Sequence, residues 1–219
     1  MLCIKSILNG ESFHAKAGKY EMKKITDWVT LEGKLVRLVP LSMDHYSDLY
    51  ELIKKDKPDE LWFTTVPSVT ELKRDIEHKL QLQQKGLMLP FTIYSQANNR
   101  IVGITTFMNI DNQTPRLEIG STWYAKEVQR TGINTEAKYL LLKYALEELQ
   151  CIAVEFRTHI LNQTSRKAIE RLGAKLDGIL RNHRLTTGGQ KRDTCIYSIT
   201  DYDWHSVKIH LEWLMKKYQ

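Results

Sequence analysis

The segment Gln129 to Ala137 (QRTGINTEA) combines residue types and spacing that invite chemistry, because a strand-like run leads into it and a long apolar helix pattern leaves it. A helix that starts this way exposes unpaired N–H groups and the positive end of its dipole, so it attracts an anion such as a pyrophosphate. Gly132 permits close approach, Asn134 can cap the helix, Thr135 can add a hydroxyl donor, and Glu136 sits where a carboxylate favours the helix start. The bland alternative is an ordinary turn with one glycine. The loop lacks the G-x-x-x-x-G-K-[ST] of a Walker motif and the G-x-G-x-x-G of a dinucleotide fingerprint.

Other reactive residue types point to less. His45, His78, His205 and His210 fall on helix patterns without an H-E-x-x-H partner, so packing or surface roles are expected and no metal site is. His159 closes a strand and His183 lies in a hairpin, which makes each a minor candidate for a base. Cys3, Cys151 and Cys195 are scattered, without zinc or disulfide spacing, and are expected to be reduced; Cys151 and Cys195 read as small buried hydrophobes. Arg181, Arg184, Lys191 and Arg192 form a basic cluster that is either a solvated rim or a surface that steers an acidic partner.

The elements that position these residues follow from periodicity and punctuation. The first clear strand is Leu35 to Leu38, stopped by Pro40, and residues 1–30 read as a poorly defined arm. A helix is expected from Ser42 to Lys54 with Ser42 as N-cap, and a second one behind a Ser68/Glu71 capping box, ending at Gly86. The loop between them carries Trp62 and Phe63, which either wall a substrate site or dock onto the core. Strand-like runs at Leu89–Tyr94, Ile101–Met108 and Arg116–Trp123 read as an antiparallel meander. A helix from Asn134 to Leu149 is apolar around much of its girth and is expected between layers. Then come a strand at Ile152–Thr158, a helix from Asn162 to Leu172, and a ladder to Leu180. A hairpin spanning Arg181 to Arg192 leads to a strand at Thr194–Ile199, and a last helix starts at a Thr200/Asp203 capping box.

The sum is an α/β (α+β) chain with a mixed, mostly antiparallel central sheet flanked by helices, with residues 31–219 as one unit and its last helix at 201–217. Hydrophobic residues at 42% and charged residues at 26% describe a globular protein. No apolar run reaches the ~20 residues of a spanning helix, so no membrane association and a cytoplasmic location are expected. A formal charge of +6 attracts polyanions only mildly and shows no clustered nucleic-acid face.

Gln129, Gly132 and Asn134 fall on the marked positions of Q/R-x-x-G-x-G/A, Asn134 standing where Gly or Ala is usual, and here the sequence resembles the GNAT superfamily of N-acetyltransferases. The T-E-A of Thr135 to Ala137 resembles the branch with the RimJ- and RimL-type ribosomal-protein enzymes. The likeness runs from about Leu35 to Tyr197 through N-x-x-S at Asn162 to Ser165, RLGA at Arg171 to Ala174 and G-x-L-R at Gly178 to Arg181.

That resemblance implies acetyl-CoA lying where the Arg116–Trp123 and Ile152–Thr158 strands splay apart, with Trp123 in the binding set. It implies a pyrophosphate held by the N–H groups of Arg130, Thr131, Gly132, Ile133, Asn134 and Thr135, with Asn162 bonding the pantetheine arm. Ser165 matches the serine placed near the CoA sulfur, with an ordinary helix-face serine as the alternative. For direct attack by an amine, Glu118 is the base candidate, since it points opposite Leu117 and Ile119; a solvent-facing strand glutamate is the alternative. The acceptor is expected to be a protein N-terminus or a small-molecule amine. A CoA-binding regulatory module and a ribosome- or nucleic-acid-associated protein are the competing readings, and the apolar residues Trp204, Trp213 and Leu214 make a homodimer conceivable.

Overall fold

Runs of β-branched and aromatic residues separated by turn residues build one eight-stranded sheet. The computed structural model describes residues 28–63, 66–186 and 188–218, so most of the expected N-terminal arm, with Cys3, lies outside the described residues. The strands are β1 (Leu31–Glu32), β2 (Val36–Pro40), β3 (Leu89–Ser95), β4 (Arg100–Asp111), β5 (Arg116–Tyr124), β6 (Ala153–His159), β7 (Lys175–Leu185) and β8 (Lys191–Thr200). Their order is β1-β2-β3-β4-β5-β6-β8-β7. Every neighbouring pair is antiparallel except β5 with β6.

The helices are α1 (Tyr46–Asp56), α2 (Leu72–Gln84), α3 (Ile133–Lys143), α4 (Gln163–Arg171) and α5 (Asp201–Met215). Two apolar clusters form because successive strand residues point to opposite faces. Leu49, Ile53, Leu72 and Ile76 from α1 and α2 pack with Ile104 and Trp123. Ala137, Leu141, Ile169 and Leu211 from α3, α4 and α5 pack with Leu117, Val154 and Tyr197. Cys151 and Cys195 are both buried, as small hydrophobes should be.

Several boundaries differ from expectation for local reasons. Ser42 caps a short 3-10 turn at Met43–His45 before α1 begins, and Lys57 at φ 44° ends that helix. Glu71 accepts from the Ser68 N–H at 3.1 Å and its hydroxyl at 2.8 Å, while Ser68 returns no side-chain cap, so α2 starts only at Leu72. The helix expected to reach Leu149 changes to π-helical hydrogen bonding at Tyr144–Glu148, and the Cys151 N–H then donates to Ala145 O at 2.9 Å as the chain turns toward β6. The hairpin expected from Arg181 starts later, because β7 stays paired to β8 as far as Leu185. The caps at Asn162 and at Thr200/Asp203 fall where the sequence puts them. Trp204 and Leu214 turn into the chain's own core, while Tyr202 and Trp213 are the exposed aromatics of α5.

Glu136 does something other than favour the start of its own helix. Its buried carboxylate accepts from the N–H groups of Lys34, Leu35 and Val36 at 2.9, 2.6 and 2.8 Å, tying α3 to the β1–β2 turn. Gly33 is required there, since a Cβ would come within 2.5 Å of the Glu136 carboxyl. Two residues on, Lys138 is buried with its ammonium against Thr105 Oγ1 at 3.2 Å and Thr122 Oγ1 at 2.8 Å. Desolvation pulls its pKa down to about 7.

Two outcomes follow from these buried charges. Glu136→Ala leaves three donors unmatched and is expected to destabilise the fold by about 3 kcal/mol or more in urea unfolding. Lys138 binds its proton more weakly folded than unfolded, so stability should rise as pH climbs from about 7 toward the ordinary lysine value of 10.5. Unfolding curves at several pH values should show that rise in the native chain and lose it in Lys138→Met.

Candidate active site

Strands β5 and β6 are paired only from Arg116/Ala153 to Glu118/Glu155. Beyond that point β5 stays with β4 as far as Tyr124, and β6 stays with β8 as far as His159. The sheet therefore forks, leaving the backbone of the second half of β5 without a strand on its β6 side among the described residues. The splay expected between these strands is present, and its apex is the Glu118/Glu155 pair.

Both carboxylates at the apex are buried, and one guanidinium lies between them. Arg157 approaches Glu118 Oε2 with Nε at 3.4 Å and donates through Nη2 to Glu155 Oε2 at 2.8 Å, while Arg116 pairs with the other Glu155 oxygen. Asn109 Nδ2 donates to Glu118 Oε2 at 2.7 Å. Asn109 can turn inward because it sits at φ 50°, beside an irregularity in the β4–β5 register. Gly120 leaves room for the glutamate, since a Cβ at that position would stand 2.8 Å from Glu118 Oε1. Burial raises the Glu118 pKa, with the Asn109 hydrogen bond and Arg157 opposing the shift. Glu118 is thus no solvent-facing strand residue: it is 6% exposed and lines a cavity of about 270 Å³ with Asn109, Arg157, His183, Arg192 and Thr194.

The anion loop lies past the end of β5. Gln129 Nε2 donates to Tyr124 O at 3.1 Å, Arg130 adopts φ 63°, and Thr131 Oγ1 donates to Val128 O at 2.7 Å, which together set the turn. The N–H groups of Arg130, Thr131, Gly132, Asn134 and Thr135 donate to no other group among the described residues, whereas that of Ile133 reaches Thr131 Oγ1 at 3.3 Å. The helix cap is Gly132, not Asn134, which lies inside the first turn of α3. The Gly132 requirement is also internal: a Cβ would fall 2.7 Å from Leu35 Cδ1 and 2.8 Å from Tyr218 Cγ. The Thr135 side chain is turned away from the loop, fully buried and accepting from Arg171 Nη2 at 2.9 Å, so it contributes no hydroxyl there.

Trp123 is likewise directed elsewhere. Its ring belongs to the apolar cluster under α1 and α2, and its carbonyl lies against Gly103, where a Cβ would come within 2.1 Å. Asn162 stands past the end of β6, its Oδ1 accepting from the Ser165 N–H at 3.0 Å. Ser165 is half-buried on the first turn of α4, and its hydroxyl makes no hydrogen bond among the described residues. His159 is buried near the mouth of the fork, with Nδ1 accepting from the Leu161 N–H at 3.0 Å and Trp62 edge-on to its ring at 5.0 Å. Trp62 stays 52% exposed, so it caps this end of β6 and does not enter the core.

Sequence reasoning did not find Asn109, Arg157 or Thr194. Arg157 shares a face with Glu155 by strand alternation, which was readable, but its partner across the fork depends on register. Asn109 is invisible because its inward aim comes from the bulge in β4.

A family model described as an acetyltransferase (GNAT) domain matches residues 36–175. YdaF of Bacillus subtilis (strain 168), which carries the name of a ribosomal N-acetyltransferase, is 33% identical over 108 residues. That alignment covers 49% of this chain and 58% of YdaF, so the chain spans little more than half the length of this relative. A GCN5-related N-acetyltransferase from Brucella melitensis superposes with a TM-score of 0.78 at 26% identity, over 89% of this chain and 88% of that one. Mycobacterium smegmatis RimJ, solved with a CoA-disulfide, has the same fold, with a TM-score of 0.72 at 22% identity over 87% and 96% of the two chains.

The site's electrostatics are open to direct titration. Carbon-detected NMR of Glu118 should give a carboxyl pKa above the ordinary value of 4.5, and Asn109→Ala should move it further up by removing a hydrogen bond to the ionised form. A value at or below the ordinary one would contradict the burial described here.

Proposed function

We infer, from the premise that this chain belongs to the GNAT acetyltransferase family, that it moves the acetyl group of acetyl-CoA to a primary amine. The observation that carries this reading is the fork in front of a loop with five uncommitted N–H groups, at Arg130, Thr131, Gly132, Asn134 and Thr135. Loop donors and the positive end of α3 suit the CoA pyrophosphate. The unpaired side of β5 suits a pantetheine arm laid along it as an extra strand. Asn162, with its Oδ1 spent on capping α4, has its amide N–H groups to offer that arm.

The chemistry needs few groups. A neutral amine attacks the thioester carbonyl, the C–N bond forms, the C–S bond breaks, and the CoA thiolate leaves and takes up a proton. Glu118 accepts the proton lost by the amine, directly or through water, and its raised pKa makes it a better base than an exposed carboxylate. Ser165 is the group we assign to meet the leaving sulfur, since its hydroxyl is uncommitted at the α4 start.

The acceptor we propose is a protein N-terminus, in line with the name of the Bacillus relative. We place the reaction in the cytoplasm and assign it to residues 31–219 as a single unit; no described helix is long and apolar enough to cross a membrane. A homodimer built on α5 would use Tyr202, Ile209 and Trp213, because Trp204 and Leu214 are turned inward.

Calorimetric titration of CoA, followed by thiol release from acetyl-CoA with a panel of amines, tests the reading; a folded chain that binds no CoA would overturn it. In the active chain, kcat/KM should fall as pH drops through the raised Glu118 pKa, because only the ionised form accepts a proton. Glu118→Gln should lower kcat about 10²-fold or more and remove that acid limb, leaving CoA affinity unchanged.

A further inference from the structure

The wall of the cavity formed by β7 and β8 carries two cations that no carboxylate among the described residues meets in an ion pair, Glu118 in the same cavity acting on them only at longer range. Arg184 and Arg192 are partners in the β7–β8 register, so their backbones are held side by side. Four cationic and two anionic side chains line the cavity. Lys79 is tied to Asp75, and Arg157 to Glu118 and Glu155. The neighbouring carboxylates are also committed: Asp193 accepts from Arg181 Nε at 2.6 Å and the Asn182 N–H at 2.7 Å, and Glu155 holds Arg116 and Arg157. Arg184 and Arg192 are left with no carboxylate partner among the described residues.

The same wall also holds polar atoms without partners. Arg192 Nε, Thr194 Oγ1 and His183 Nδ1 are all buried and make no hydrogen bond among the described residues. Thr194 is only 2% exposed, so water does not readily serve it from the surface. An unmet buried donor costs about 1–3 kcal/mol, more if charged, so a cluster of them on one cavity wall marks a place where a ligand supplies acceptors. Burial and then the Arg184 charge lower the Arg192 pKa, with Glu118 opposing the shift, as expected of two neighbouring cations that one carboxylate offsets only in part.

We propose that this wall is an anion subsite of the acceptor cleft, so that the amine accepted at Glu118 carries its own carboxylate or phosphate group, held by Arg184, Arg192 and the Thr194 hydroxyl. The proposal rests on the transferase reading above for the amine, but the anion subsite stands on its own geometry. Glu118 and the two arginines line one cavity of about 270 Å³, so the amine and the anion belong to the same small head group. The ionised glutamate and the paired cations then divide the work: one end of the cleft takes a proton and the other fixes orientation. The subsite also deters amines without an anion, since they leave the half-buried Arg192 and the buried Thr194 hydroxyl unmatched.

Two measurements separate this proposal from the transferase reading. In the first, inorganic phosphate is titrated calorimetrically into protein saturated with CoA, which occupies the α3 loop. Binding should weaken about tenfold or more in Arg184→Leu and again in Arg192→Leu, as loss of a hydrogen bond to a charged group requires. Arg184 is exposed, so its variant should fold even if the Arg192 variant does not. Absence of binding in the native chain, or equal binding in native and variant chains, overturns the subsite.

In the second, kcat and KM are compared for tripeptide amides matched in pairs, aspartyl against asparaginyl and phosphoseryl against seryl at the first position. The anionic member should win by about tenfold in kcat/KM, mostly through KM, with the better pair telling carboxylate from phosphate. Arg184→Leu should shrink that preference while CoA affinity holds, and Arg192→Lys should keep part of it. Equal turnover of both members overturns the proposal and leaves the transferase intact. Phosphate binding with no turnover of any amine does the reverse.

Discussion

The guanidinium of Arg157, set between two buried carboxylates that face each other in register, is the interaction on which the rest of the site depends. Glu118 and Glu155 repel at this depth unless a cation screens them, and removing one partner from such a cluster commonly costs several kcal/mol. Their juxtaposition comes where β5 and β6 stop pairing. Above that apex β6 follows β8 and β5 follows β4, and neither strand can change sides without losing a ladder already made. The gap is therefore a consequence of competing sheet registers, and the Arg157 cluster closes its floor.

Two anchors hold the rest of the frame around that gap. The Glu136 carboxylate fixes the start of α3 to the β1–β2 turn, so the loop before it is held from behind. Tyr218 of the C-terminal turn and Leu35 beside β2 also stand close against Gly132. A loop that must present bare N–H groups to an anion gains from such supports, because donors fixed in advance lose little entropy on binding. The acetyl donor we propose for the gap would thus meet a site already shaped for it.

Much of this was readable from the chain alone because period and punctuation carry it. The strands from Leu89 to Trp123, the cap at Asn162 and the Thr200/Asp203 box all depend on neighbours within a few residues, and each falls where it was expected. Glu118 was legible too, since alternation places it opposite Leu117 and Ile119. What escaped was set by distant partners. Asn134 looked like a cap by residue type, but the chain enters α3 one turn-fraction earlier, at Gly132. Thr135 read as a hydroxyl donor to the anion and Glu136 as a carboxylate favouring its own helix start, yet Arg171 and the β1–β2 turn draw both side chains inward. The basic cluster read either as a solvated rim or as a surface steering an acidic partner; only the hairpin register brings Arg184 beside Arg192 at a cavity.

The most direct test of the central claim is a crystal structure of the chain with acetyl-CoA. Density for the pantetheine between the second half of β5 and the end of β6, with the pyrophosphate on the N–H groups from Arg130 to Thr135 and the thioester above Glu118, is the expected result. Acetyl-CoA bound elsewhere on the sheet, or β5 and β6 zipped together beyond Glu118 and Glu155, would contradict it.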